Sequence, residues 1–223
     1  MGKALVEALA EAGADVAFSH HQSRAGAEAA ARAVESRGRR AFTARADARQ
    51  PGELAAFVEQ AAGALGGIDM LVNNVGVFRK APLDAVDEQA LDEAFAVNVK
   101  AAVMTSKAAA PHLRRRGGGA IVNLASLGGL RPWRSYLPYC ATKAALIMAT
   151  RCLALALGPE IRVNAVAPGI LDPPGADAVV RERVPMKRFG TAAEAVEAVL
   201  FLLAAGSYTT GAVLPVDGGR ELF

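Results

Sequence analysis

Ala120-Ile121-Val122-Asn123-Leu124-Ala125-Ser126, with Tyr139-Cys140-Ala141-Thr142-Lys143 beginning 13 positions after the serine, is the stretch that decides the fold. Its first part is a short, almost unbroken apolar run, as in a strand covered on both faces. Its second part opens an apolar helix expected over 139–157. A buried strand feeding a long helix is half of a parallel crossover unit.

The same alternation continues in both directions. Upstream, the pattern predicts a buried strand at 70–72 running into Asn73-Asn74-Val75-Gly76 and one long helix within 91–114. Before these it predicts a helix at 51–64 with Pro51 near its start, a strand at 40–45, and a helix at 25–36 ended by Gly38. A strand at 15–18 and an opening helix at 3–12, stopped at Gly13, complete that half. Downstream it predicts a strand at 161–166, a helix at 191–204 and a short strand at 212–216. No linker, repeat or low-complexity segment interrupts residues 1–223, so a single α/β domain with a doubly wound parallel sheet is expected. Ligands of such sheets bind outside the carboxyl ends of the strands. Asn73 to Gly76, Ser126 and Pro168-Gly169 all fall there.

Composition narrows the field. The chain has 223 residues, 52% of them hydrophobic and 21% charged, which is globular rather than disordered. A net charge of +3 is too small to argue for a nucleic-acid partner. The one basic run, Arg114-Arg115-Arg116 before three glycines, reads as a helix C-terminus with cations near its carbonyls. Cys140 and Cys152 fall three turns apart on one helix and are not expected to bridge, which fits a reducing compartment. Glu7 and Glu11 break the opening apolar stretch, so a signal peptide is not expected, and Val6 is wrong for myristoylation. No run reads as long and apolar enough to span a bilayer. A cytoplasmic protein without a membrane partner is expected.

Tyr139 and Lys143 share a helix face. A phenol ionises near pH ~10, and a neighbouring ammonium favours the phenolate. The pair therefore makes a proton donor or acceptor suited to a carbonyl or alcohol. Ser126, at the adjoining strand end, is placed to hydrogen-bond the same oxygen.

These residues resemble the short-chain dehydrogenase/reductase family. Tyr139 to Lys143 looks like its Tyr-x-x-x-Lys motif, Ser126 like its serine, and Asn98 in Val97-Asn98-Val99-Lys100 like its helix asparagine. Asn73-Asn74-Val75-Gly76 resembles its Asn-Asn-Ala-Gly motif, and Asp47 the acid that contacts adenine. Ile161-Arg162-Val163-Asn164 leading to Pro168-Gly169, and Val216-Asp217-Gly218-Gly219, also match. The resemblance implies a Rossmann-type fold and a hydride-transfer site. Tyr139 would be the general acid or base, Lys143 would lower its pKa and bind the nicotinamide ribose, and Ser126 would hold the substrate oxygen. Asn98 would keep a water in a proton relay through Lys143. The implied cofactor contacts are Gly2, Ser19, His20, Ser23, Asp47, Ala48, Asn74, Val75, Gly76, Tyr139, Lys143, Pro168, Gly169 and Ile170.

The family opens with a central strand and a glycine-rich turn that receives the pyrophosphate. Here the segment from Gly2 onward aligns with the family's first helix, just past the last glycine of that turn. Without the strand, a gap between two halves of the sheet is expected. The preferred reading is that Met1 is an internal methionine taken as the start; the alternative is a shortened, cofactor-deficient protein. After the strand at 15–18 the segment Ser19-His20-His21-Gln22-Ser23-Arg24 has no acid for ribose hydroxyls and suits a 2′-phosphate, so NADP(H) is expected over NAD(H). Adjacent His20 and His21 lack metal-ligand spacing, so no metal site is expected.

Pro173 stands about where the family often has a threonine that contacts the nicotinamide amide. In Arg131-Pro132-Trp133-Arg134-Ser135-Tyr136, Trp133 offers a stacking face and the arginines could meet an anionic substrate; a plain loop-surface role stands beside that. The body resembles 3-oxoacyl-carrier-protein reductases, including Arg188-Phe189-Gly190. The Ser19 to Ser23 stretch, Pro159-Glu160 and the ending Gly218 to Leu222 resemble pteridine-reductase-like members. Against the latter, Ser126 replaces an aspartate found in some, and Gln22 the usual arginine. The expected function is interconversion of a carbonyl and an alcohol on a small molecule. The alternatives are pteridine reduction and a non-enzymatic oligomer subunit or binding module. A homotetramer or homodimer is expected through the helices at 91–114 and 139–157.

Overall fold

The computed structural model describes residues 1–171 and 181–222. In chain order the helices and strands are α1 (Gly2–Glu11), β1 (Val16–His20), α2 (Arg24–Glu35), β2 (Ala41–Arg45), α3 (Pro51–Leu65), β3 (Met70–Asn73), α4 (Glu88–Phe95), α5 (Ala101–Arg115), β4 (Gly119–Leu124), α6 (Leu137–Leu157), β5 (Ile161–Pro168), α7 (Ala192–Leu200) and β6 (Val213–Val216). Every strand pair is parallel. This is the α/β parallel architecture that the alternation predicts, and the Rossmann-type fold that the family resemblance implies.

Two differences from the expected elements bear on the site. The helix expected within 91–114 is α4 and α5 joined by a π turn, Ala96–Lys100. A second π turn, Phe201–Ala205, continues α7.

The sheet is interrupted where the gap is expected. β1 pairs with β2 alone, and β3-β4-β5-β6 form a separate four-stranded sheet. Within the larger sheet Ile121 is in register with Val163, and Val122 with Asn164. Successive residues of a strand face opposite sides, and the cores follow that rule. Val122, Leu124 and Val166 pack with Leu5 of α1 and with Val196 and Val199 of α7. On the other side Ile121 and Val163 pack with Val58 of α3, Leu113 of α5 and Leu157 of α6.

Helices α1 and α3 straddle the interruption, one on each face. Leu5 joins the four-stranded core, while Val6 and Ala10 pack with Val16 and Val34 beside the two-stranded sheet. Val58 joins the four-stranded core, while Leu54 of α3 packs with Ala46 and Ala48 just after β2.

One expectation is corrected. By length and composition α6 is apolar enough to cross a membrane, with a mean hydropathy of 1.5 over its best stretch. Here it is a core helix. Its inward face buries Lys143, Leu146, Thr150 and Ala154, while Met148 and Leu155 face solvent. Cys140 and Cys152 lie on it as free thiols. Arg115 ends α5, and Arg116 pairs with Asp69 at 2.8 Å.

Candidate active site

The carboxyl end of β4 sets the geometry. Ser126 caps a short turn, Leu127–Gly129, by accepting from the Gly128 amide at 3.0 Å. A Cβ at Gly128 would lie 3.1 Å from Tyr139 Cε1, and one at Gly129 2.6 Å from the Lys143 carbonyl carbon. Only glycines let this turn lie flat on α6, and that contact brings Ser126 to the phenol. The Ser126 hydroxyl lies close enough to the Tyr139 phenol to favour its ionised form.

Both ionisable partners are shifted by burial. Tyr139 is half-buried, which raises its phenol pKa above the ordinary value; the nearby Ser126 hydroxyl works against that rise. Lys143 is 4% exposed, and burial lowers its ammonium to about 8. Its Nζ donates to the Leu124 carbonyl at 2.7 Å and lies 5.8 Å from the Tyr139 ring centroid. The expected lowering of the phenol by Lys143 is thus not the dominant effect: desolvation acts on both groups and opposes their charged forms. At neutral pH Tyr139 is a protonated donor.

Asn98 sits in the π turn between α4 and α5, where the extra residue turns it inward; such bulges are frequent at functional sites. Its Oδ1 accepts from the Val77 amide at 2.7 Å, and its Nδ2 donates to the Val77 carbonyl and to Thr142 Oγ1 at 2.9 Å. It therefore ties the loop after β3 to α6. A Cβ at Gly76 would lie 3.2 Å from Asn98 Oδ1 and 3.4 Å from Lys143 Nζ. Gly76, Asn98, Ser126, Tyr139 and Lys143 are brought to one place. Asn73 is not part of it: its Nδ2 donates to Asn123 Oδ1 at 2.8 Å and to Ser106, a strut between β3, β4 and α5.

The remaining sequence-derived positions divide along the same line. Gly2 opens α1 with its Cα side 3.2 Å, measured from an added Cβ, from Asn74 Nδ2. The free amides of the first helical turn thus lie beside the Asn74-Val75-Gly76 loop, a place suited to a phosphate. Pro168, Gly169 and Ile170 follow the end of β5, where the Gly169 amide donates to Val216 and the Ile170 carbonyl accepts from Gly190. Ser19 and His20 end β1, with His20 Nδ1 3.2 Å from Thr43 Oγ1. Ser23 precedes α2 and its hydroxyl makes no capping bond. Ala48 is a core residue. Asp47 is buried with its carboxylate on Arg49 at 2.6 Å and 3.5 Å from His21 Nε2; Arg49 holds its pKa at about 2. Its acceptor capacity is thus largely committed to the neighbouring guanidinium. Pro173 lies outside the described residues.

A family model for enoyl-(acyl carrier protein) reductase matches residues 1–221. A short-chain dehydrogenase/reductase from Serratia marcescens is 34% identical and superposes with a TM-score of 0.93 over 99% of this chain and 93% of that one. The chain belongs to the short-chain dehydrogenase/reductase family. A cis-4-hydroxycyclohexanecarboxylate dehydrogenase of Sinomonas cyclohexanicum is 37% identical over 98% of this chain and 91% of its own length. A blue fluorescent protein from a metagenomic library, solved in complex with NADPH, is 35% identical with a TM-score of 0.93, covering 98% of this chain and 92% of that one.

Three features of this short-chain dehydrogenase/reductase escape sequence reading. Thr142 seats Asn98. Gly128 and Gly129 carry the turn on α6, and their adjacency two residues after Ser126 was the signal available. Phe78 lies 4.7 Å from Tyr139, centroid to centroid, and stacks on Tyr136 at 4.9 Å. Trp133 lies 6.0 Å from Tyr139, so the expected aromatic face is built from four rings. The arginine over Trp133 is Arg220, at 5.9 Å; Arg131 instead donates to the carbonyls of Arg220 and Glu221.

Proposed function

We propose that this chain is an NADP(H)-dependent oxidoreductase that interconverts a carbonyl and an alcohol on a small molecule. The observation that carries the reading is the convergence of a protonated, half-buried Tyr139 with Ser126 and the buried Lys143 at one strand end. A nicotinamide dinucleotide, when bound, would supply the hydride in reduction and take it in oxidation. Lys143, Asn74, Val75 and Gly76 would hold its nicotinamide ribose end, the first-turn amides of α1 its pyrophosphate, and Ser19 to Ser23 its adenosine end.

In reduction Tyr139 gives its hydroxyl proton to the carbonyl oxygen; in oxidation its phenolate takes the proton of the alcohol. Ser126 hydrogen-bonds the same oxygen and fixes its distance from the phenol. The Lys143 cation stabilises the phenolate left after transfer, at the moment when charge appears. Asn98 holds the Gly76 loop against α6 through Val77 and Thr142, which keeps the site's two walls in register.

The NADP(H) preference rests on the absence of an acid between Ser19 and Arg24. The NADPH complex of one structural relative is in keeping with it. The relative named for cis-4-hydroxycyclohexanecarboxylate supports a secondary alcohol on a ring as the substrate type. The test is carbonyl-dependent oxidation of NADPH and of NADH by the purified chain. Faster turnover at lower concentration with NADPH is expected; oxidation of neither by any carbonyl overturns the reading. Met148 is 55% and Leu155 87% exposed on the outer face of α6, which supports self-association there, as expected from the sequence.

A further inference from the structure

The substrate side of the site carries a cation that nothing in the proposed reaction uses. The rings of Phe78, Trp133, Tyr136 and Tyr139 form one connected cluster, and Phe78 is 60% exposed. Together they make an aromatic wall beside the phenol, built from two stacked pairs, Phe78 with Tyr136 and Trp133 with Tyr139, set edge-to-face against each other. Trp133 is flanked by Tyr139 at 6.0 Å and by the Arg220 guanidinium at 5.9 Å, so both neighbour one indole ring.

Arg220 is held in place but not neutralised. The Arg131 Nη1 donates to the carbonyls of Arg220 and Glu221 at 3.0 and 3.1 Å, which pins this part of the chain to the loop bearing Trp133. The side chain is another matter. Its Nη1 is buried with no hydrogen-bond partner, and among the described residues no carboxylate pairs with it. The nearby Asp217 accepts instead from the amides of Gly219 and Glu221. Burial and the charges of Arg131 and Arg183 all push the guanidinium pKa down, against the single opposing pull of Asp217. A buried N–H without a partner is costly, and a guanidinium is the side chain best shaped to grip a carboxylate through two parallel hydrogen bonds.

We infer that Arg220 and the four-ring wall form an anion-binding substrate subsite, selecting carbonyl and alcohol substrates that carry a carboxylate on a small ring. The ring lies on the aromatic wall with its reacting carbon at Tyr139, and its carboxylate meets Arg220 beyond Trp133. This rests on the carbonyl–alcohol reading for its chemistry, but the binding can be measured apart from turnover.

Trp133 is the only tryptophan of the chain, so its fluorescence reports on the subsite alone. The probes are cyclohexanecarboxylate and the uncharged cyclohexanecarboxamide, titrated without cofactor. The carboxylate is expected to bind at least about tenfold more tightly than the amide, as a charge-assisted hydrogen bond implies. Arg220→Gln is expected to abolish that preference and Arg220→Lys to restore part of it; melting curves of both variants exclude misfolding. Equal binding of acid and amide by the parent, or an unchanged preference in Arg220→Gln, overturns the inference. A second arm compares NADPH-dependent reduction of 4-oxocyclohexanecarboxylate and its methyl ester. Selective binding with no turnover of either upholds the subsite and overturns the carbonyl–alcohol reading. Turnover of both at equal kcat/KM, with unselective binding, overturns the subsite and upholds that reading.

Discussion

The two sheets of this molecule differ in depth. In the four-stranded sheet β4 is buried from Ala120 to Leu124 and β5 is buried over most of its length. In the two-stranded sheet nearly every residue of β1 and β2 is only half-buried. Asn98, Ser126, Tyr139 and Lys143 all cluster on the four-stranded side, while His20, Ser23 and Asp47 stand on the other. The difference teaches that the residues proposed for proton transfer rest against the more deeply buried sheet, where burial shifts Lys143 to about 8, and those proposed for nucleotide selection beside the shallower one. Among the described residues, the pair of helices α1 and α3 packs against both.

The sharpest way to break this picture is at the turn that lays Ser126 on α6. Gly129→Ala puts a methyl against the Lys143 backbone, and overpacking of this kind costs about 3 kcal/mol. Loss of turnover together with a lowered Tm is expected; wild-type kinetics would show that the turn does not position the serine.

A matched pair tests how the halves are coupled. Val122 and Val34 are both fully buried, one in each core. Truncation of either to alanine is expected to cost about 2 kcal/mol. Hydrogen exchange should show Val122→Ala lowering protection throughout, and Val34→Ala chiefly accelerating β1 and β2. Uniform acceleration by both would make the two sheets one cooperative unit and remove the distinction.

Lys143 provides a pH test. Its folded pKa of about 8 lies below the ordinary 10.5. Between those values the unfolded chain holds a proton that the folded chain does not, so stability rises with pH across that window. Lys143→Met is expected to flatten the rise and to be no less stable than the parent at neutral pH, while losing turnover. A rise that persists in the variant would assign it to another group. The smallest effect belongs to α7, whose capping box joins Thr191 to Glu194. Thr191→Ala should cost about 1 kcal/mol and leave KM unchanged.

Much of this was legible in the sequence because burial writes itself as composition. Apolar runs such as Ile121 to Leu124 marked the strands, and the spacing of Ser126, Tyr139 and Lys143 marked residues that the fold brings to one place. The interruption between β1 and β3 followed from aligning Gly2 with the start of the first helix. Less legible were features that depend on backbone detail or on distant chain segments meeting. No residue type announces the π turn that carries Asn98. The commitment of Asp47 to Arg49 arises from the turn between them. The arginine that lies over Trp133 is Arg220, not one from the Trp133 loop, because the end of the chain folds back over that loop and Arg131 holds it there. The shift of Tyr139 upward, not downward, followed from burial that spacing alone does not report.

The most direct measurement is carbonyl-dependent oxidation of NADPH by the parent chain and by Tyr139→Phe, with melting curves of both. The account predicts turnover by the parent, a loss of at least about 100-fold in the variant, as expected for removal of a general acid, and an unchanged Tm. Turnover in Tyr139→Phe equal to the parent's would contradict it.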